Sequence, residues 1–136
     1  MAYRVFVSHG WDDRWIAKQM ASTIAERANA DPFIDIFDIK KGDRIEQRIR
    51  EELPKCDELV VLLTPLSIRR NWVWTEVGAA WGLGKRIVGV LYGLSITDIE
   101  REHGGMAALG PTNCLLLNDF DDYISELTER TAGGSK

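Results

Sequence analysis

The sequence predicts an α/β protein, a three-layer α/β/α sandwich built on a five-stranded parallel sheet, and three observations predict it. Short apolar, β-branched runs alternate five times with segments of helical periodicity, as successive βαβ units require. One run, Leu59-Val60-Val61-Leu62-Leu63, is apolar without interruption, the pattern of a strand covered on both faces. The 136 residues, 45% of them hydrophobic and 28% charged, suffice for one hydrophobic core and little more. The expected organisation is therefore a single domain over residues 1–131 with a flexible tail over 132–136.

Residues 3–8 read as the first strand, which His9-Gly10 ends. Asp12 or Asp13 can cap a helix over about 14–28, with Ile16, Met20, Ile24 and Ala28 facing inward and Trp15 in the core. Asp31-Pro32 turns the chain into a strand over 33–37. A loop over 38–43 follows, and Asp43 caps a helix that carries Ile45, Ile49 and Leu53 four apart until Pro54 stops it. The apolar run over 59–63 is the third strand. Beyond the loop that starts at Thr64, a helix is expected over about 71–84, on which Trp72 and Glu76 share one face. Trp74, Val77 and Trp81 fall on another face and are assigned to core or interface. A fourth strand over 86–92, a short helix over 96–102, a fifth strand over 113–117 and a last helix over about 119–130 complete the series. Asp119, Asp121 and Asp122 fill the first turn of that last helix, as its dipole favours.

Composition narrows the functions. A net charge of −4 argues against a nucleic-acid partner, because phosphate contacts need a basic face. Arg44, Arg48 and Arg50 are interleaved with Glu46, Glu51 and Glu52. Cys56 and Cys114 read as buried free thiols of a reducing compartment. The opening residues carry no signal-peptide pattern and no apolar run reaches membrane-spanning length, so a cytoplasmic protein without a membrane partner is expected. The glycine-rich dinucleotide and P-loop fingerprints are absent, as are a Gly-x-Ser-x-Gly elbow and an aspartate closing the third strand. The two histidines, His9 and His103, are far apart, and no metal site is expected.

What remains is one cluster of loops at the carboxyl edge of the sheet: Ser8-His9-Gly10-Trp11, Phe37-Asp38, the segment from Thr64 to Arg70, and the start of the Trp72/Glu76 helix. Here the sequence resembles the Toll/interleukin-1 receptor (TIR) domain family in three places. Phe6-Val7-Ser8-His9 followed by Asp12-Asp13 is similar to the first-strand motif. Asp38-Ile39-x-x-Gly42-Asp43-x-Ile45 resembles the so-called BB loop, and Pro65 with Trp72-x-x-x-Glu76 resembles the third-helix motif. Lys41 stands where many members have proline, and Val73 where many have cysteine.

The resemblance implies a flavodoxin-like fold and a choice between two activities, scaffold assembly and cleavage of the nicotinamide–ribose bond of NAD+. In catalytic members the glutamate at the position of Glu76 is essential. NAD+ is then the substrate and no cofactor is expected, with ADP-ribose, a cyclic isomer or a base-exchange product left open. Ser8, His9, Gly10, Trp11, Asp38 and Trp72 become the expected substrate contacts. Lys40, Lys41, Gly42 and Asp43 become the expected interface for self-association or for other TIR domains, with a downstream effector as a further partner and defence signalling as the setting. Two alternatives stand beside this: a non-catalytic assembly module working through residues 38–45, and an enzyme like the nucleoside deoxyribosyltransferases, with glutamate as nucleophile.

Each residue also has a plainer reading. A helical glutamate is ordinarily solvated, and Trp72 serves equally as a packing residue. Trp11 suits a self-association contact as well as a stacking one, His9 a backbone contact, and Asp38 and Asp43 a turn brace or helix cap. Arg69 and Arg70 can attract an anionic dinucleotide, though exposed arginines ordinarily do nothing so specific.

Overall fold

Five strands, β1 (Arg4–Ser8), β2 (Asp31–Ile34), β3 (Glu58–Leu63), β4 (Arg86–Leu91) and β5 (Cys114–Leu116), form one sheet in the order β2-β1-β3-β4-β5, with every pairing parallel. Four helices lie wholly within the described residues, α1 (Arg14–Arg27), α2 (Asn71–Gly82), α3 (Ile96–His103) and α4 (Phe120–Gly134), and residues 49–52 are helical as well. The computed structural model describes residues 2–34, 49–103, 109–110 and 113–134.

The central strand explains the layering. Successive residues of a strand face opposite sides, and all six residues of β3 are buried. Leu59, Val61 and Leu63 pack with Phe6 against Val73, Val77 and Ala80 of α2, and Ile49, Leu53 and Ile99 join them on that face. Val60 and Leu62 pack with Val5 and Val7 against Met20 and Ile24 of α1 and Ile124 and Leu127 of α4. Helices therefore cover both faces, as the uninterrupted apolar run requires.

The structure corrects some local expectations. Trp15 is not in the core: its residue is 69% exposed. The buried stripe of α1 is Ala17, Met20, Ala21 and Ile24, and Trp15 lies about 200° of helical rotation from Ala17, so size and hydrophobicity yielded to periodicity. Ile16 is only half-buried. β2 starts at Asp31, two residues early, with Pro32 opposite Val5. An edge strand tolerates proline because a missing N–H can face away from the sheet. Residues 35–37 lie outside the described residues. β5 is shorter than expected, because Asn113 leaves the strand to close a turn: its side chain donates to the Ile87 carbonyl at 3.1 Å and accepts from the Gly110 N–H at 2.7 Å. The last helix continues to Gly134 rather than ending near Arg130.

At the amino edge of the sheet sits a charge cluster that local patterning did not reveal. Glu58, fully buried, accepts hydrogen bonds from Tyr3 at 2.5 Å and from Tyr123, and Arg130 of α4 donates to it at 2.7 Å. Arg130 also donates to the Tyr3 hydroxyl at 3.0 Å. A buried carboxylate needs such partners, since an unpaired charge there would be strongly destabilising. Burial, then the hydrogen bond and charge of Glu58, push the Tyr3 hydroxyl up to about 12. Tyr123 is raised too, first by burial and then by the charge of Glu58.

Both cysteines are free; Cys56 is buried as expected, whereas Cys114 is half-buried. Burial pushes the Cys56 thiol up to about 11 and raises that of Cys114, so both stay protonated near neutral pH. Among the described residues no helix is long and apolar enough to cross a membrane.

Candidate active site

The strand order reverses direction between β1 and β3, and in doubly wound sheets the crevice beyond the carboxyl ends of those two strands is where ligands bind. Ser8 ends β1 and faces the same side as Phe6, toward α2. On α2, Val73, Glu76, Val77 and Ala80 form the buried stripe, at spacings of three and four. A glutamate thus occupies a core-facing position at 6% exposure. Its Oε1 accepts a hydrogen bond from the buried Ser8 hydroxyl at 2.5 Å, which offsets part of the cost of holding a carboxylate out of water.

The loops around this pair are fastened by short side chains. The Thr64 hydroxyl accepts from the N–H groups of Ser67 at 3.0 Å and Leu66 at 3.3 Å, and donates to Asp13 at 2.6 Å. Ser67 answers: its hydroxyl accepts from the Thr64 N–H at 2.8 Å and donates to the Leu62 carbonyl at 2.9 Å. This reciprocal staple fixes the turn at Ser67–Arg69, and its bond to Asp13 ties the loop after β3 to the loop after β1. Asp13 therefore does not cap α1 with its side chain, as the sequence suggested. Asp12 does not either; it pairs with Arg70 at 2.7 Å. Gly10 presses on the same turn, and a Cβ there would come within 3.2 Å of the Ser67 Cβ.

The remaining predicted residues divide. The structure brings together Ser8, His9, Gly10, Trp72 and Glu76: His9 is buried, and the half-buried Trp72 directs its indole N–H to the His9 carbonyl at 3.4 Å. Trp11 begins a short 3-10 turn nearby, half-buried, with the Arg14 guanidinium 4.1 Å from its ring centroid. One face of that indole is thus already covered. Trp74, half-buried, donates to the Ile68 carbonyl at 2.8 Å, Val77 is core, and Trp81 is 61% exposed. Asp38, Lys40, Lys41, Gly42 and Asp43 lie outside the described residues. Among the described residues no three side chains of metal-ligating type cluster.

Sequence reasoning missed the Thr64–Ser67–Asp13 fastening. Its trace was present, since a strand-ending threonine with serine three residues on is an ST-turn pattern; the distant aspartate carried no such trace.

A doubly wound parallel sheet with a buried, hydroxyl-bonded glutamate at its switch point defines a flavodoxin-like α/β domain. A TIR domain family model matches residues 5–127, and the chain belongs to that family. The probable 2′ cyclic ADP-D-ribose synthase BdTIR of Brachypodium distachyon is 25% identical to it over 99 residues, 71% of this chain. The match covers 44% of that relative, so the chain spans less than half of its length.

Proposed function

We propose that the domain cleaves the nicotinamide–ribose bond of NAD+. The observation that carries this is Glu76, a carboxylate buried at 6% exposure on the apolar stripe of α2, at the sheet's switch point and hydrogen-bonded by Ser8. Packing gives no reason for a glutamate there, whereas a reaction that develops positive charge does. The similarity to a protein named as a probable cyclic ADP-ribose synthase supports the same direction.

One carboxylate is enough for this chemistry. Nicotinamide leaves its cationic precursor as a neutral molecule, so no general acid is required, unlike an ordinary glycoside that needs a carboxylate pair. Glu76 stabilises the oxocarbenium character of the departing ribose and accepts hydrogen bonds from its hydroxyls. Ser8, its hydroxyl committed to Glu76, holds the carboxylate rather than grasping substrate. Trp72, tied by its indole N–H to the His9 carbonyl, offers a flat aromatic face, and His9 and Gly10 lie in the loop that follows Ser8. NAD+ is substrate here, and no further cofactor is needed. Water as acceptor gives ADP-ribose, and an internal acceptor gives a cyclic isomer.

Self-association stands as a second reading, compatible with the first: Trp15 on α1 and Trp81 on α2, helices on opposite faces of the sheet, each expose a large indole. The test is NAD+ consumption with product analysis on concentrated, crowded protein, comparing wild type with Glu76→Gln. The variant should stay folded and lose at least about a hundredfold in rate, the scale of a lost electrostatic stabiliser. If wild type releases no nicotinamide, or Glu76→Gln matches an active wild type, catalysis at Glu76 is refuted; an inert wild type leaves assembly as the function.

A further inference from the structure

We infer that Arg70 recognises the diphosphate of the dinucleotide, releasing Asp12 as the substrate enters; the inference rests on the NAD-cleaving reading above. Arg70 is the N-cap residue of α2, at the carboxyl edge of the sheet beside the loop after β1. Its guanidinium reaches Asp12 of the first loop at 2.7 Å and lies 5.8 Å from the Trp72 ring centroid. Its stem passes the bare α-carbon of Gly10, where an added Cβ would sit 3.7 Å from the Arg70 Cγ. Three parts of the site thus meet on one cation.

The spacing and polarity fit the ligand. Arg70 precedes Glu76 by six residues, about one and two-thirds turns or roughly 9 Å along the axis of α2. Along NAD+, the scissile carbon and the diphosphate are separated by a ribose and its 5′ carbon. A substrate whose cationic nicotinamide sits at Glu76 therefore extends its anionic diphosphate along the helix toward Arg70. The first N–H groups of α2, a helix of 12 residues, add positive potential at the same end.

The bond to Asp12 does not prevent this. Both side chains are about two-fifths exposed, 40% for Arg70 and 39% for Asp12, and exposed pairs of this kind are weak. A diphosphate offers two charges and a bidentate geometry that the guanidinium fork matches. Asp12 holds the arginine beside Gly10 and the Trp72 ring, and the substrate then displaces the carboxylate. Arg14 is occupied otherwise, bonded to the Trp11 carbonyl at 2.9 Å and stacked on that residue's own ring.

The discriminating measurement is steady-state cleavage of NAD+ and of nicotinamide riboside, which has the same scissile bond and no phosphate, by concentrated full chain and its Arg70→Gln variant. The preference, kcat/KM for NAD+ over that for the riboside, should fall about ten- to a hundredfold in the variant, the scale of a lost charge-assisted contact. Arg70→Lys, which keeps the charge without the fork, should recover part of it. Asp12→Asn should lower KM for NAD+ about two- to fivefold, because the competing carboxylate is gone. A preference that stays within twofold in Arg70→Gln overturns the inference. If wild type cleaves neither compound, the NAD-cleaving reading fails by itself. Titration with ADP-ribose, read on tryptophan fluorescence, then decides the contact: weaker binding by Arg70→Gln supports it, and equal binding, or none by either protein, overturns it.

Discussion

Replacing Thr64 by valine keeps the shape of the side chain and deletes one hydroxyl, so it isolates the fastening between the loops after β1 and β3. The hydroxyl makes three contacts: it donates to the carboxylate of Asp13 at 2.6 Å and accepts from Ser67 N–H at 3.0 Å and Leu66 N–H at 3.3 Å. A hydrogen bond to a charged group contributes about 1.5–3 kcal/mol, and a buried donor left unpaired costs about 1–3 kcal/mol. Ser67 is fully buried, whereas Leu66 is exposed and can turn to water, so only the first two contacts count in full. The local network shares these losses, and about 3 kcal/mol is expected in sum. Against a total stability of about 5–15 kcal/mol this is a large fraction. It corresponds to a fall in Tm of about 10 °C, at roughly 3 °C per kcal/mol for a domain of this size. Urea denaturation followed by circular dichroism measures it, in a cycle with Asp13→Ala. A coupling energy above about 1.5 kcal/mol between positions 64 and 13 is expected. A Thr64→Val loss below about 0.5 kcal/mol, or additive effects at the two positions, would refute the fastening.

Arg130→Met should cost about 3 kcal/mol in urea melts, at the low end for breaking a buried pair because two tyrosine hydroxyls still serve Glu58, and adding Glu58→Gln should restore part of the loss. Tyr3 titrates near 10 when unfolded and near 12 when folded, with Tyr123 shifted the same way. Since the fold prefers the neutral hydroxyls, their contribution is full below pH 10 and is lost as pH rises toward 12. Denaturation midpoints measured across that window should fall less steeply for Tyr123→Phe than for wild type. Gly89→Ala would place a Cβ 2.7 Å from the Cys114 Sγ and 3.2 Å from a Leu109 methyl, so a loss of about 1–3 kcal/mol is expected. Thermal melts of Gly89→Ala with Cys114→Ala should show most of that stability regained; no recovery would place the strain elsewhere.

Local periodicity made much of this fold legible. The run over 59–63 announced a strand buried on both faces, and the four-residue spacing of Trp72 and Glu76 put them on neighbouring parts of one helix. What the sequence could not express was distance along the chain. Ser8 and Glu76 are 68 residues apart, Thr64 and Asp13 are 51 apart, and Glu58 and Arg130 are 72 apart. Each meets its partner only through the tertiary fold, the first two because β3 lies beside β1 and the third because the last helix packs back on β3. The aspartates of the first loop were misread for that reason: a carboxylate before a helix looks like a cap until a distant partner claims it, the Thr64 hydroxyl for Asp13 and the Arg70 guanidinium for Asp12. Trp15 failed differently, since a large apolar residue was given priority over its angular position.

The cluster around Glu58 also governs how the domain can be wired into a longer chain. It clasps Tyr3, just before the first strand, to Arg130, four residues before the last described one. Both ends of the fold therefore emerge together from the edge of the sheet opposite Glu76. Polypeptide joined at either end, or a short linker closing the two into a ring, attaches away from Glu76 and Ser8, so the edge that carries them stays open whatever the domain is carried by.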